Sequence, residues 1–437
     1  MNSFEQFRRA GAFQGYAYGY PHKTAYRKLQ PAIPLREMWR DEDTSALFLY
    51  LHIPFCEMRC GFCNLFTTSD SSSELMAQHF AAMRRQAKET MEALGPDAKF
   101  ARIAIGGGTP SILPADALED LLRFVSQFPF AGKPLFAVEV SPATVTREKL
   151  DLLKAAGATR VSIGVQSFDE NETRALGRSQ KRDEVENALA MIRDVGFAAR
   201  NIDLIYGIAG QTNASWMRSL RRALDFQPDE LYLYPLYVRP LTLLGRRGEQ
   251  CEEDKRLEFY RTGRELLLEA GYQQISMRLF RKGAALEGPV YCCQEDGMIG
   301  IGAGARSYAS ALHYSTEWAV SFASVKEIIR NYIATPQSRF RFAEHGIELS
   351  LAEQRRRYVV KSVLRREGLD LTAYRARFRS HAIEDFPELL ELIEAGCLED
   401  ADGCLLATPL GFELSDAIGP WLYSNVVVER MNSYALT

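Results

Sequence analysis

Residues 52–64 read HIPFCEMRCGFCN, and this stretch decides the fold. It places three cysteines, Cys56, Cys60 and Cys63, in the spacing CxxxCxxC, directly after an apolar run typical of a β-strand. Cysteine thiolates are the usual ligands of iron–sulfur clusters. Three of them leave one iron of a cubane cluster open to an outside ligand, much as catalytic metal sites keep an open position. The stretch therefore predicts a catalytic iron–sulfur cluster.

A structural zinc site is the main alternative for these cysteines. Such a site needs a fourth protein ligand and usually a second pair of ligands. The residues NLF follow Cys63, with no cysteine or histidine close behind. His52, four residues before Cys56, is the best candidate for a fourth ligand. The missing second pair favours iron–sulfur over zinc.

Beyond the cysteines, β-rich runs alternate with segments of helical length, which indicates βα units stacked around a parallel sheet. Gly157 and Gly196 stand where predicted helices end, the usual place for a residue that tolerates positive φ. We predict helices over residues 73–94, 147–157, 182–196 and 213–226, and strands over residues 47–53, 100–106, 135–140, 160–166, 199–207 and 230–238. Six such strands predict an α/β fold with a partial (β/α)6 barrel.

Polar residues and glycines gather at the ends of these predicted strands. Ligands of parallel βα folds collect there, because backbone donors and strand-end side chains converge. The positions are Cys56, residues 106–111, Glu139, Gln166, Asp203 and Tyr237. The run IGGGTPSIL at 105–113 would let a ligand approach the backbone closely, although three glycines also suit a tight turn.

The chain divides into three predicted regions. We expect an N-terminal leader over residues 1–44, a core with its extension over 45–310, and a C-terminal domain over 311–437. In the last region, helical patterns at 351–368 and 382–419 surround Asp402-Gly403, a hairpin signal between two apolar runs. This order predicts a small helical, winged-helix-like domain.

Five motifs, YLHIPFC, GGGTPS, EVSP, RVSIGVQSF and NIDLIYG, occur in this order between residues 50 and 207. With CxxxCxxC, they resemble the radical S-adenosylmethionine (SAM) enzymes, and in particular the family of oxygen-independent coproporphyrinogen III oxidase. The resemblance covers residues 45–310. It implies a radical SAM barrel, a [4Fe-4S] cluster held by the three cysteines, and cleavage of SAM to a 5′-deoxyadenosyl radical. The family also includes haem chaperones and radical methyltransferases.

The resemblance also implies the residues that contact SAM. For the polar members, the alternative role is an ordinary hydrogen bond at a strand end. Carried over by motif, the positions are Tyr50, Phe62, Gly107, Gly108, Thr109, Glu139, Gln166, Arg178 and Asp203, with Tyr237 on the sixth strand. Arg306 lies in DGMIGIGAGARSYAS (296–310), which resembles a glycine-rich segment of the family. From such a loop Arg306 would suit bidentate binding of a carboxylate; the alternative is that the glycines serve only a turn.

The leader contains AYGYPHKTAYRKL at 17–29, which resembles the leader that lies over the active site in this family. Its aromatic and cationic side chains would suit a tetrapyrrole that carries propionates. These residues are Tyr20, His22, Lys23, Tyr26 and Arg27. The alternative is a solvated tail with some packed tyrosines.

Two positions depart from the family pattern. Oxidases of the family carry a further cysteine two residues after the third cluster ligand, where this chain has Leu65. Tyr237 stands where a small residue is expected and would narrow a second SAM site. Three hypotheses remain open: radical chemistry on a tetrapyrrole such as coproporphyrinogen III, radical C-methylation of haem or a natural product, and haem binding by a chaperone.

Composition limits the other partners. With 53 basic and 56 acidic residues and a formal charge of -3, the 437-residue chain shows no footprint for nucleic acid. No run approaches the roughly 18 apolar residues of a membrane helix, and the N-terminus lacks the apolar core of a signal peptide. We expect a cytoplasmic protein without a membrane partner. The resemblance implies an electron donor such as flavodoxin or ferredoxin.

Overall fold

The structure, a computed structural model, describes residues 2–17, 19–248, 254–283 and 292–435. Its strands are β1 (Arg27–Pro34), β2 (Leu47–Ile53), β3 (Phe100–Gly107), β4 (Phe130–Val140), β5 (Arg160–Gln166), β6 (Ala199–Tyr206), β7 (Glu230–Pro235), β8 (Gln273–Gln274), β9 (Leu279–Arg281), β10 (Met298–Ile301), β11 (Arg306–Tyr308), β12 (Leu312–Ser315), β13 (Phe342–Glu348), β14 (Leu369–Asp370), β15 (Leu398–Ala401) and β16 (Cys404–Ala407).

The α-helices are α1 (Ser3–Phe7), α2 (Leu35–Met38), α3 (Ser73–Leu94), α4 (Ala115–Val125), α5 (Arg147–Ala155), α6 (Glu170–Ala175), α7 (Arg182–Val195), α8 (Asn213–Asp225), α9 (Leu243–Arg247), α10 (Arg256–Glu269), α11 (Phe322–Ala334), α12 (Leu351–Val363), α13 (Leu371–Phe378), α14 (Ala382–Asp385), α15 (Glu388–Glu394), α16 (Pro409–Glu413), α17 (Ser415–Trp421) and α18 (Asn425–Asn432). Within the described ranges, none of them is long and apolar enough to cross a membrane.

The chain forms two compact units. Of the described residues, the larger contains 26–248, 283, 292–348 and 435, and the smaller contains 2–17, 19–25, 254–282 and 349–434. This grouping differs from the boundaries expected at residues 44 and 310. The sheet of the larger unit crosses both of them, because β1 pairs with β13 in antiparallel register.

Six neighbouring parallel strands form the centre of the larger unit. Strands β2 to β7 lie side by side in chain order, as the alternating pattern predicted. On the other side of β2 the sheet continues through β10, β11, β12, β13 and β1. β10 is parallel to β2, and the strands beyond it pair antiparallel. The partial (β/α)6 barrel is confirmed.

The two faces of the six parallel strands differ in composition. On β2, Leu47, Leu49, Leu51 and Ile53 are fully buried, and the equivalent alternate positions of the neighbouring strands are also apolar. Because side chains alternate across a strand, the intervening positions share the opposite face. Register places on this face Tyr50, Ala104 and Ala137, and also Glu139, Ser162, Asn201, Glu230, Gly164, Asp203 and Tyr232. With Arg160, which pairs with Ala137, this inner face therefore carries small, polar and aromatic residues.

Helices join the parallel strands on the apolar face. α5 and α7 end before Gly157 and Gly196, whose φ angles are +91° and +72°, as expected for helix-terminating glycines. The chain then enters β5 and β6 directly. Because each of these helices is followed by a short connection to the next parallel strand, the carboxyl ends of the strands lie along one edge of the sheet.

The smaller unit holds the C-terminal domain that the sequence predicted. Its helices accompany a small sheet in which β16 pairs with both β14 and β15. Asp402 and Gly403 form the hairpin turn with φ of +52° and +84°, as required at the two central residues of a type I′ turn. The winged-helix-like arrangement of helices and hairpin is confirmed.

Candidate functional site

The cysteine loop leaves the carboxyl end of β2 and is closed by two backbone hydrogen bonds. The Thr68 N–H donates to the oxygen of Pro54 at 2.7 Å, and the Cys56 N–H donates to the oxygen of Thr68 at 2.9 Å. These bonds return the chain to its start after the third cysteine. The three thiols are thereby held within one closed loop.

Each cysteine sulfur has its own polar neighbour. Thr109 Oγ1 lies 3.6 Å from Cys56 Sγ, Arg178 Nη1 lies 3.4 Å from Cys60 Sγ, and Thr67 Oγ1 lies 3.8 Å from Cys63 Sγ. Burial raises the pKa of Cys56 to about 12, and the nearby Thr109 hydroxyl acts in the opposite direction. Burial also raises the pKa of Cys60, and the Arg178 cation opposes this shift.

The three thiols do not form a site for one metal ion. Among the described residues, no group of three His, Cys, Asp or Glu side chains is arranged to hold a single ion. In a cubane each thiolate binds a different iron, so the sulfurs do not have to meet at one point. Three cysteines on one loop, each with a polar neighbour, fit a [4Fe-4S] cluster.

The glycine run packs directly against the cysteine loop. The Gly108 N–H donates to the oxygen of Ile53 and the Thr109 N–H to the oxygen of Phe55, each at 2.8 Å. A Cβ at Gly108 would lie 2.5 Å from the Phe55 oxygen and 3.0 Å from Cys56 Sγ. Only glycine permits this approach, so the run serves more than a turn.

Glu139 lies next to this glycine run. Its Oε2 accepts the Gly107 N–H at 3.1 Å, and a Cβ at Gly106 would lie 2.7 Å from the same oxygen. The surrounding protein raises the pKa of the carboxyl, while the Gly107 N–H lowers it. The side chain nevertheless keeps a large accessible surface. A carboxylate enclosed by protein yet still accessible is suited to bind the ammonium group of a ligand.

Arg178 follows α6, and its guanidinium has four partners, of which Gln180 Oε1, at 2.8 Å from Nε, is the nearest in sequence. Besides Cys60, its guanidinium donates to the backbone oxygen of Gly164 at 2.8 Å and to Ser141 Oγ at 3.4 Å. Gln166 stands at the end of β5, where the register with β6 shifts after Gly164. Its φ of +69° turns the chain out of the sheet. Both predicted residues therefore lie at the carboxyl edge.

Asp203 is the second acidic residue, after Glu139, on the inner face of the sheet. Asn201 Nδ2 donates to its Oδ1 at 2.7 Å, and Ser162 Oγ donates to its Oδ2 at 3.4 Å. Burial raises the pKa of Asp203 to about 7; Asn201 and the cation of Arg160 oppose the shift. The charge of Glu139 adds to the rise, which places the two carboxyl groups in one electrostatic environment.

Tyr50 and His52 form a hydrogen-bonded chain beneath the cysteine loop. His52 Nε2 donates to the backbone oxygen of Phe66 at 2.9 Å, so Nδ1 accepts the hydroxyl of Tyr50 at 3.1 Å. Both ring nitrogens of His52 are thus engaged, and His52 does not serve as a fourth ligand. Phe62, on the loop itself, packs against an apolar cluster that includes Leu176 and Leu244.

Two predicted residues lie elsewhere than expected. β7 ends at Pro235, so Tyr237 is not on the sixth parallel strand; it follows that strand, and the guanidinium of Arg239 lies 4.8 Å from its ring centre. Arg306 belongs to β11 and not to a glycine-rich loop. The glycines before it have packing roles: a Cβ at Gly304 would lie 2.4 Å from Phe66.

The tyrosines of the leader also differ from the prediction. In the smaller unit Tyr20 is fully buried, donates to Glu353 and packs on Tyr423 with ring centres 4.9 Å apart. In the larger unit Tyr26 is buried between His313 and His345, at 6.4 and 6.2 Å. Both rings belong to the interior, so neither is available to grip a substrate.

Sequence reasoning missed two aromatic residues of the inner face. Tyr232 and Tyr234 on β7 are half-buried, with nearly parallel rings whose centres are 5.7 Å apart. The alternation in ELYLYP, with Leu231 and Leu233 buried, was the available signal. Because the strand was predicted only as a run of apolar residues, the side chains that face inward were not identified.

Comparisons with known proteins agree with this geometry. The chain matches the Radical SAM superfamily over residues 50–223 and the HemN C-terminal domain over residues 349–414. It is 30% identical over 293 residues to the oxygen-independent coproporphyrinogen III oxidase of Paracoccus denitrificans, with 64% of each chain covered. It is 32% identical over 268 residues to the heme chaperone HemW of Escherichia coli, covering 59% of this chain and 69% of that protein.

Among solved structures, the chain resembles coproporphyrinogen III oxidase (HemN) from Escherichia coli, with a TM-score of 0.76 and 23% identity. That likeness covers 94% of this chain and 97% of the other, and it shows a shared fold. The sequence match spans just under two thirds of the Paracoccus oxidase, and the relatives include both an oxidase and a chaperone. The chain belongs to the radical SAM superfamily, which uses a [4Fe-4S] cluster and SAM, and within it to the family of oxygen-independent coproporphyrinogen III oxidase and HemW.

Proposed function

We propose that this chain is an enzyme that directs a radical made from SAM at a tetrapyrrole. The observation that carries the proposal is the division of the inner face of the sheet. Its carboxyl edge brings together the cysteine loop, Glu139 and Arg178, whereas the small side chains of Ala104 and Ala137 lie on the same face farther from that edge. The first part suits the cofactors and the second leaves space for a large flat substrate.

Different residues at the carboxyl edge of the sheet would hold the cluster and SAM. When bound, the cluster supplies the electron that cleaves SAM to methionine and a 5′-deoxyadenosyl radical. Cys56, Cys60 and Cys63 would hold the cluster, and residues 107–109 let SAM approach the backbone. Glu139 offers its carboxylate to the ammonium group of SAM. A one-electron donor such as flavodoxin or ferredoxin would supply the electron.

Further SAM contacts would come from the polar residues around this edge. Arg178 is a fixed cation beside Cys60, and Gln166 and Asp203 offer hydrogen-bonding groups on neighbouring strands. Asp203, with a pKa of about 7, is able both to donate and to accept a hydrogen bond near neutral pH. Tyr50 on β2 and Phe62 on the cysteine loop would complete the set of proposed SAM contacts.

The inner face supports a flat aromatic substrate. Ala104 and Ala137 are small residues in the middle of the sheet, and Tyr232 and Tyr234 present rings at one side of it. Aromatic rings favour offset stacking with other π-systems. On the other side Arg306 is close enough to Tyr50 to influence its pKa, and a guanidinium there suits a propionate carboxylate. The relatives named for coproporphyrinogen III and heme support the same substrate class.

A radical C-methyltransferase acting on haem or a natural product is the second candidate, because Leu65 counts against oxidative decarboxylation. Leu65 stands where oxidases of the family have a further cysteine, and 49% of its surface is exposed. A leucine lacks the ionisable thiol of that cysteine, so it cannot take over its acid–base or redox role. Oxidative decarboxylation is therefore less well supported than radical attack on the same class of macrocycle.

The test uses anaerobically reconstituted protein with SAM, a reductant and either coproporphyrinogen III or haem. We expect 5′-deoxyadenosine to form, and the mass of the tetrapyrrole to change in step with it. Loss of carbon dioxide from coproporphyrinogen III would identify the oxidase, and a gain of one methyl group on haem would identify the methyltransferase. SAM cleavage with both tetrapyrroles unchanged would contradict the substrate class. Tight haem binding without SAM cleavage would instead support a chaperone.

A further inference from the structure

Glu172 is a buried carboxylate that neither the cluster nor the substrate is expected to touch. It lies on α6, and its oxygens accept three hydrogen bonds from neutral side chains. Ser167 Oγ donates to Oε2 at 2.6 Å, Gln211 Nε2 donates to Oε2 at 3.0 Å, and Ser215 Oγ donates to Oε1. Burying a charge is costly unless hydrogen bonds satisfy it, so the carboxylate fixes the position of all three donors.

The three donors come from different parts of the larger unit. Ser167 directly follows Gln166 at the end of β5, whereas Gln211 and Ser215 lie in the loop after β6 and at the start of α8. Gln211 Oε1 in turn accepts the Gly207 N–H at 2.7 Å, at the point where β6 ends. Glu172 therefore ties together the carboxyl ends of two neighbouring strands.

The same helix contacts the cysteine loop. The Gly61 N–H, between Cys60 and Cys63, donates to the Leu176 oxygen at 2.9 Å, and Arg178 reaches Cys60 Sγ. A Cβ at Gly61 would lie 2.8 Å from that Leu176 oxygen, so the two segments are in close contact. Leu176 and Arg178 follow Glu172 by four and six residues.

α6 has only 6 residues, and isolated helices shorter than about 12 residues are marginal in water. Its position therefore depends on tertiary anchors such as the hydrogen bonds of Glu172. A displacement of α6 would move Arg178 and the Leu176 oxygen away from the cysteine loop together.

We propose that Glu172 is a positioning residue that sets the orientation of the cysteine loop through α6, and thereby the fit of SAM to the cluster. This role rests on the cluster and SAM alone and is independent of the organic substrate. Glu172 acts at a distance, through Arg178 on one side and through the Gly61–Leu176 hydrogen bond on the other.

The test compares Glu172→Ala, Glu172→Gln and the control Glu89→Ala in the full-length reconstituted protein. Glu89 is also a buried carboxylate of the larger unit and is hydrogen-bonded by Gln337 and Arg341, but it lies near the far end of α3. Measured quantities are iron content, the electron paramagnetic resonance spectrum of the reduced cluster with and without SAM, and SAM cleavage without organic substrate.

We expect Glu172→Ala to raise the KM for SAM about 10-fold, as loss of an outer contact to a metal site commonly does, and to weaken the spectral change caused by SAM. Glu172→Gln keeps one oxygen for Ser167 and Gln211, while Ser215 can turn its hydroxyl to the Thr212 oxygen at 3.0 Å. It should restore both quantities most of the way. Glu89→Ala should lower the melting temperature but change neither quantity.

A wild-type KM and spectrum in Glu172→Ala would overturn the proposal, as would equal effects in Glu89→Ala. If Glu172→Ala does not fold, Ser167→Ala and Ser215→Ala each remove a single donor and should each raise the KM for SAM. Unchanged KM values in both serine variants would also overturn it. Since no tetrapyrrole is used, these outcomes are independent of the proposed substrate.

Discussion

The guanidinium of Arg178 joins the sulfur of Cys60, 3.4 Å from Nη1, to the backbone oxygen of Gly164, 2.8 Å from Nη2. One side chain thus connects the cysteine loop after β2 with the end of β5, across the opening of the partial barrel. A cation at this place favours the thiolate form of Cys60, and its planar group fixes the distance between the two segments.

Replacing Arg178 with lysine should weaken SAM binding although the positive charge is kept. A single ammonium group cannot reach Cys60, Gly164 and Ser141 together. We expect the KM for SAM in the cleavage assay to rise about 10-fold, as for other outer contacts of metal sites. Arg174→Lys, at an exposed position of α6, is the matched control and should behave as the wild type. Equal KM values in the two variants would argue against a role for Arg178.

Cys60→Ala should abolish the cluster absorbance and SAM cleavage while leaving the fold intact. The thiol is a proposed iron ligand, and the residue is only partly buried, so little packing is lost. The measurements are iron and sulfide content, the visible absorption spectrum and circular dichroism. Cys397→Ala is the control, because Cys397 is buried in the smaller unit and should affect stability alone. A Cys60→Ala protein with full iron content and activity would refute the assignment.

Glu139→Gln should raise the KM for SAM without loss of the cluster. The amide keeps an oxygen for the Gly107 N–H but loses the negative charge. A hydrogen bond to a charged group is worth about 1.5–3 kcal/mol, so we expect a rise of about 10- to 100-fold. SAM-cleavage rates at several SAM concentrations would measure the KM, and isothermal titration of the reconstituted protein with SAM would measure the accompanying rise in Kd. Glu119→Gln on the exposed side of α4 is the control, and an equal effect there would count against Glu139.

Asp203 should make the protein less stable as the pH rises from about 4 to about 7. Its pKa is about 7 in the folded state against 3.8 ordinarily, so between these values the folded state binds more protons than the unfolded chain. The free energy of unfolding therefore falls with rising pH, by about 1.4 kcal/mol for each unit of the shift.

Asp203→Asn cannot ionise and should lack this contribution. Urea unfolding of the cluster-free protein at several pH values would give the difference between variant and wild type. We expect that difference in stability to grow in favour of the variant up to about pH 7 and then to stay constant. A difference independent of pH would show that Asp203 does not titrate in this range.

Much of the fold followed from local patterns. The bounds of β2 and β5 were predicted to the residue, because each is an apolar run with clear boundaries. β7 ends three residues earlier than expected. Its neighbour β6 ends at Tyr206, and Gly207, with φ of +83°, turns that chain away, so the last backbone hydrogen bond to β6 is the one that the Leu236 N–H donates to the Tyr206 oxygen at 2.8 Å.

The residues at the carboxyl edge of the sheet were predictable from the sequence, whereas the positions of Arg306 and Tyr26 were not. Cysteine spacing, the glycine run and strand-end polar residues all report on local chemistry. Arg306 was misplaced because the glycines before it indicated a loop, although β10 and β11 pair there as a short antiparallel hairpin. Tyr26 was misjudged because its partners His313 and His345 lie 287 and 319 residues farther along the chain, which no local pattern reveals.

The different composition of the two faces of the central sheet has a consequence for variation. Substitutions along a strand such as β4 should alternate in kind, with Phe136 and Val138 controlling the amount of folded protein and Glu139 controlling turnover at normal abundance. A complete substitution scan with separate readouts of abundance and activity would show effects that alternate from one residue of the strand to the next. Homologues could then diverge in chemistry on one face while keeping a common scaffold on the other.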